Sequence, residues 1–318
     1  MDTLYFLVQN MMFFSIPLLI VALAAMFSER SGVINIGLEG IMVMGAFAGT
    51  LYLHFSGLET TNTLKNLVIA ILISILAGTL YSALHAFASI NMLADQTISG
   101  TAINLFSSAF AIFIARSLVG IQQIQFTGDY RFAKVAVLGD IPIIGPMFFQ
   151  NAYITNYLGI LILILSWFIL YKTRFGLRLR SAGEFPQATD AAGISVKKIR
   201  WAGVLISGAL GGLGGLAFIV PISTEFNGSV AGYGFLAIAV LIFGQWKPGL
   251  IALSAFFFGL LKTISSAYTS IPLLSDLGIP QVVYQVMPYL ITIIVLFLTS
   301  KKSAAPAAEG QPFDKGKR

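Results

Sequence analysis

The run "IPLLIVALAAMF" at 16–27 is one of several apolar stretches in this chain, and their length and number constrain it more than any other feature. A bilayer core needs roughly 17–25 apolar residues per helical crossing. In lipid, each backbone N–H and C=O must also find its partner within the protein. Applied along the chain, that length requirement predicts an all-α polytopic transmembrane helical bundle of about nine spans. They lie near 4–27, 36–55, 67–89, 97–116, 155–171, 201–220, 233–246, 249–268 and 283–299. The seventh is short, and "VPISTEFNGSVAGYG" before it carries Pro and Gly, so together they read as a broken or re-entrant passage covered by protein or lining a cavity.

Composition agrees with membrane residence. Of 318 residues, 57% are apolar and 10% charged, against about a quarter charged in soluble domains. Cysteine is absent and only His54 and His85 are present, which excludes disulfide frameworks and thiolate or multi-histidine metal sites. The formal charge of +6 reads as basic cytoplasmic loops rather than as a nucleic-acid surface.

Charge also orients the chain. Asp2 and no basic residue precede the first apolar run, and Arg30 is the first cation, so the N-terminus is expected outside. Counting crossings then puts 172–200 inside, where seven basic residues oppose Glu184 and Asp190 for a net +5. Residues 1–300 thus read as one transmembrane domain. The polar segment 301–318, "KKSAAPAAEGQPFDKGKR", reads as a disordered cytoplasmic tail. No positively charged segment precedes the first run, which is expected to remain as an anchor.

Within the large loop, Pro186 suits the first turn of a helix and Gly193 the left-handed residue that ends one, which predicts a short helix near 186–192. Its small residues, "PQATDAA", would let another protein approach closely, and the flanking Arg and Lys would hold the loop at an anionic membrane face. An ordinary solvated loop is the alternative.

Four blocks occur in order: "SERSGVINIGLEGIMVMGAFAG" at 28–49, "ADQTISGTAINLFSSAF" at 94–110, "AGEFPQATDAAGI" in the loop, and "GYGFLAIAVLIFGQWKPG" at 232–249. In these the chain resembles the permease subunits of bacterial ABC importers of the branched-chain amino acid, ribose and nucleoside type, and most of all the shorter nucleoside permease. The resemblance implies a multi-pass subunit of the bacterial cell membrane that carries a nucleoside or related small polar solute. It implies a second permease in a heterodimer, cytoplasmic ATPase subunits, and an extracytoplasmic binding lipoprotein or binding protein. Gly183, Glu184, Pro186, Ala188, Asp190, Ala191, Ala192 and Gly193 would form the coupling segment that meets the ATPase. The chain itself has no G-x-x-x-x-G-K-[ST] phosphate loop, so no cofactor is expected in it and ATP would be hydrolysed by the partner.

Candidates for the solute path are polar residues at membrane depth, which are costly there and usually face a cavity or another helix. Asn35 and Glu39 stand near the start of the second span; Thr97, Ser99, Thr101 and Asn104 recur along the fourth. Thr97, Thr101 and Asn104 share one helical face, a potential hydrogen-bonding wall or, alternatively, glue between helices. Glu39 could instead cap a broken helix or pair with Arg30. Glu225 and Asn227 occupy the outer segment as gate or binding-protein contacts, and Asp129, Arg131 and Lys134 in the long stretch 117–154 are further docking candidates. Gly45/Gly49, Gly208/Gly212 and Gly211/Gly215 are small-residue pairs for close helix packing, within the subunit or at a dimer seam.

No nucleophile or metal constellation is visible, which argues against a membrane enzyme. An ion-coupled secondary transporter would show inverted repeats and ionisable groups at the bilayer midplane, and neither stands out. Transport of a simple sugar or a branched-chain amino acid remains open beside nucleosides.

Overall fold

The computed structural model describes residues 2–56, 63–128, 130–268, 280–299 and 304–314. Helices dominate. They are α1 (Asp2–Glu29), α2 (Leu38–Ser56), α3 (Thr63–Ala86, extended by a π-turn Phe87–Asn91), α4 (Gln96–Val119) and α5 (Ile154–Lys172). After them come α6 (Arg174–Glu184), α7 (Pro186–Ala191), α8 (Val196–Ile222), α9 (Tyr233–Phe243), α10 (Pro248–Ala267) and α11 (Gln281–Thr299).

Among the described residues seven helices are long and apolar enough to cross a membrane: α1, α2, α3 with its π-turn, α4, α5, α8 and α10. The nine expected crossings are not confirmed. Of the other two, 233–246 is α9, whose 11 residues at about 1.5 Å each fall well short of a bilayer core of about 30 Å. The other, 283–299, lies in α11 and is not among the seven.

The fold also contains strands that helical periodicity could not announce. β1 (Ile124–Gln125) pairs antiparallel with β4 (Glu225–Phe226), and β2 (Arg131–Lys134) with β3 (Gln150–Tyr153). Both ribbons lie where α4 ends, α5 starts and α8 ends. This is the ribbon end of the bundle. The opposite end holds α6, α7 and the turns after α1 and α9.

α1 and α8 form the centre. Leu18 to Met26 of α1 are fully buried, as are Gly211 to Leu216 of α8 apart from slight exposure of Leu213. Helix α8 approaches its neighbours backbone to backbone. A Cβ added to Gly215 would lie 2.0 Å from the Met42 carbonyl oxygen, and one added to Gly45 2.3 Å from Gly212 Cα. The small-residue pairs therefore pack α2 and α3 against α8 inside one subunit.

The loop 172–200 is mostly helical. In α6, Leu179 and Ala182 are buried while Arg174 and Arg178 are exposed, so a segment that reads as polar in one dimension is amphipathic in three. Thr173 caps it by accepting from Gly176 N–H at 3.1 Å. In α7, Pro186 takes the first turn, and Gly193 beyond its end has φ +77°.

Within the tail, residues 304–314 make turns seated on the loop end, where backbone groups of α6 and of the α1–α2 turn bind them. The basic residues Lys301, Lys302, Lys315, Lys317 and Arg318 of that tail, and Asp129 of the outer stretch, lie outside the described residues.

Gly215→Val should cost at least about 1–3 kcal/mol, since a carbonyl in a neighbouring helix cannot give way. Gly249→Ala, whose added carbon would meet nothing within 4 Å, should be silent. Thermal unfolding of the purified variants in detergent compares the two.

Candidate functional site

After α1 the chain does not leave the bundle but turns back into it as a non-helical segment of turns, 30–37, before α2 begins. Its depth can be read from its partners. Asn104, which holds its end, stands eight residues into α4, about 12 Å from that helix's start. Such backbone has no water to bond and must be satisfied by side chains.

Helices α3 and α4 supply them, and α8 holds the segment's own Asn35 side chain. Gln96 Oε1 accepts from Ile34 N–H at 2.7 Å. His85 Nε2 donates to the Ile34 carbonyl at 2.9 Å, and since a carbonyl only accepts, the ring's other nitrogen, Nδ1, is left to accept from Ser99 Oγ at 3.0 Å in the neutral form. Asn104 uses both ends of its amide: Oδ1 accepts from Gly40 N–H at 2.7 Å and Nδ2 donates to the Ile36 carbonyl at 2.9 Å. Asn35, fully buried, donates to Ser207 Oγ at 3.0 Å.

Glu39 completes the junction. It does not pair with Arg30. Its carboxylate accepts from Gly232 N–H at 2.9 Å and Gly234 N–H at 2.7 Å, and so caps the N-terminus of α9. Unpaired N–H groups and the positive end of the helix dipole favour an anion there. Gly234 is required at this point, because a Cβ would sit 2.4 Å from Glu39 N.

The expected polar wall of α4 is therefore split. Ser99 and Asn104 turn inward as clamps, while Thr97 and Thr101 lie on an exposed face, where Thr101 Oγ1 donates to the Thr97 carbonyl at 2.8 Å. Sequence reasoning missed Gln96, Ser207 and His85 as members of the junction. Nothing in their spacing marks them, since their common partner is backbone from another part of the chain.

At the ribbon end an open cavity of about 650 Å³ is lined by Glu225 with Tyr130, Arg131, Asn151 and Tyr153. Burial pushes the Tyr130 phenol up. Asn227 is exposed beyond β4. Lys134 pairs with Asp140 rather than facing the cavity.

At the opposite end the α9–α10 turn is strained. Gln245 and Trp246 have φ of 49° and 52°, a region bulky residues avoid. Trp246 Nε1 donates to the buried Glu29 carboxylate at 2.6 Å, and the Trp246 carbonyl accepts from Arg30 Nη2 at 3.0 Å. Arg30 also stands 3.6 Å from Glu184. Burial lowers the Arg30 guanidinium's pKa, against the raising influence of Tyr171 and Glu184. On α7 and just before it, Ala188, Ala191, Ala192 and Phe185 are exposed, Phe185 to 68%. Asp190 is half-buried, and Pro186 and Gly183 are buried beneath them. Among the described residues no group of three or more His, Cys, Asp and Glu is placed to hold a metal.

Helices built around intramembrane backbone, with a solvent-facing helical loop at one end, define a solute-translocating membrane subunit. Comparison gives the family: residues 7–296 match the permease component of branched-chain amino acid transport systems, and the chain belongs to that family. It is 41% identical to a nucleoside ABC transporter permease of Lactococcus lactis, over 99% of both chains. It is 43% identical to a guanosine ABC transporter permease of Bacillus subtilis, over 96% of this chain and 95% of that one. A second guanosine permease of Bacillus subtilis is 27% identical over 89% of this chain and 78% of its own. No solved structure matches.

Asn104→Leu strands the Gly40 N–H and the Ile36 carbonyl, and should cost about 1–3 kcal/mol for each. The exposed Thr101→Val should leave stability unchanged. Thermal unfolding reads both, and uptake per folded molecule then separates a clamp from a path residue: a clamp leaves substrate KM alone.

Proposed function

We propose that this chain is one of two permease subunits of an ABC importer for nucleosides, driven by ATP hydrolysed on separate cytoplasmic ATPase subunits. The observation that carries the substrate is the 41–43% identity, over nearly the whole chain, to permeases named for nucleosides and guanosine.

Orientation follows from charge. The net +5 of 172–200 sets the loop end in the cytoplasm, the ribbons and the 650 Å³ cavity outside, and the N-terminus outside. On that placement the cavity at Glu225 receives solute from a binding lipoprotein or binding protein. The second permease is a different chain, as the two unequal relatives within Bacillus subtilis suggest. Thr97 and Thr101, exposed on α4 among apolar neighbours, are polar groups left for that partner or for the path between subunits.

The coupling surface is α7 with its flanks. Gly183, Glu184 and Pro186 form the seated side, and Ala188, Ala191 and Ala192 form a small-residue face on which an ATPase cleft can close; Asp190 and Gly193 end the helix. Phe185, which sequence reasoning passed over, gives this face an aromatic anchor of the kind that dominates binding energy at interfaces. ATP-driven closure of the ATPases would push on this face, and a rigid-body response would switch the path between its two openings. No covalent chemistry is asked of this subunit.

Mild detergent purification of tagged protein from its native membrane should bring down an ATPase, a second permease and a binding lipoprotein, identified by mass spectrometry. Recovery of the chain alone under several mild conditions would count against the proposal. Ala191→Asp with Ala192→Glu should abolish ATP-dependent nucleoside uptake while the protein remains folded in the membrane; undiminished uptake would remove α7 as the coupling element. Phe185→Ala should weaken ATPase binding by about 2 kcal/mol, read as a loss of co-purified ATPase.

A further inference from the structure

The segment 304–314 bonds to three separate parts of the loop end. Ala308 N–H donates to the Gly183 carbonyl at 2.8 Å, and Ala307 N–H to Glu184 Oε2 at 3.1 Å, which ties it to the end of α6. Gly310 N–H donates to the Gly32 carbonyl at 3.2 Å, in the turn after α1. The Gln311 carbonyl accepts from Arg200 Nη1 at 2.8 Å, at the start of α8. Phe313 is buried against Ala182 and Val196.

Two features make this more than a tail at rest. Arg200 is only 2% exposed and has no ion-pair partner among the described residues, so the backbone carbonyl of Gln311 is what solvates its charge. Glu309 stands beside Glu29 and near Arg30, and burial is the main influence that pushes its carboxyl up. Glu29 is also the acceptor for Trp246 Nε1. The chain of contacts thus runs from Gly183 and Glu184, through 307–309, to Glu29, Arg30 and Trp246, and from Trp246 up α9 to the N-terminus that Glu39 caps.

We infer that residues 304–314 are a strap that makes the α6–α7 loop, the α1–α2 turn and the α9–α10 turn one mechanical body, so that a push on α7 reaches the intramembrane end of α9. This rests on the functional reading above, in which α7 receives the push. Without the strap, the described links between the loop and the α9–α10 turn reduce to Arg30, through its 3.6 Å approach to the half-exposed Glu184 and the packing of its carbonyl against Gly183. The strained backbone of Trp246 would keep only the bonds from Glu29 and Arg30, with no Glu309 to hold Glu29 in place.

Two experiments test the strap. The first ends the chain at Ser303, which leaves α11 intact. The shortened subunit, reconstituted with its ATPase and second permease, should still support ATP hydrolysis, while nucleoside taken up per ATP falls about tenfold, the size of an ordinary coupling between sites. An unchanged ratio would overturn the inference, since a role limited to stability would lower both activities together. The second uses Val196→Cys with Phe313→Cys in a chain that has no other cysteine. A short bifunctional maleimide should join the pair in native membranes equally well without nucleotide and with ATP and vanadate. Failure to cross-link, or cross-linking in one state alone, would show that the strap is not seated or does not move with the loop end. This readout needs only the membrane-embedded chain for its nucleotide-free arm. It therefore judges the strap if the shortened chain fails to accumulate. A full-length complex with no ATP-driven nucleoside uptake would defeat the functional reading instead.

Discussion

Everything at the centre of this subunit depends on satisfying a stretch of non-helical backbone inside apolar surroundings. Residues 30–37 re-enter the bundle as non-helical turns, and each unpaired N–H or C=O there would cost several kcal/mol in a medium without water. Gln96, His85 with Ser99, Asn104 and Asn35 with Ser207 come from α3, α4, α8 and the segment itself to meet it. The polar residues at membrane depth are thus largely spent on holding a shape. Their arrangement places two helix N-termini, those of α2 and α9, beside each other in the interior, with the Glu39 carboxylate joining them.

That junction explains why α9 can be short. A half-length helix buried in a bundle needs its first N–H groups capped, and the cap comes from a helix about two hundred residues earlier in the chain. At its other end α9 runs into the left-handed residues Gln245 and Trp246, held from α1 by Glu29 and Arg30. Polar contacts thus pin α9 at both ends, while Ala237, Val240 and Leu241 bury its apolar face in the core. On the glycine faces of α8, backbone in direct contact with α2 and α3 leaves no room for sliding.

Residues 304–314 and the face proposed for coupling belong to the same small platform, where Phe313 lines a cavity with Asp190 and Gly193. Gly183 allows it, since a Cβ there would stand 2.4 Å from the Arg30 carbonyl oxygen and separate α6 from the α1–α2 turn. The platform buries Arg200 and half-buries Glu309, while Phe185 and the alanines at 188 and 191 of α7 remain exposed. Burial of charge beneath and apolar exposure above mark which side is internal and which is open to a partner.

Much of this was legible in the chain itself. Apolar run lengths determined a polytopic helical subunit, because lipid leaves helical backbone no other solution; Pro186 and Gly193 marked α7 through their fixed dihedral preferences; the glycine spacing on α8 marked close packing. The sequence also placed Glu39, Ser99 and Asn104 among the residues that matter, since polar groups at membrane depth are rarely idle. What they bond to was decided by tertiary structure alone. Glu39 finds the N–H groups of Gly232 and Gly234, Asn104 finds the backbone of Ile36 and Gly40, and residues 304–314 find α6 and Arg200. In each pair at least one partner is main chain, which looks the same at every position in a sequence. Hydrophobic length is a local property and can be read in one dimension, whereas the pairing of a side chain with a distant backbone group exists only once the helices have been packed.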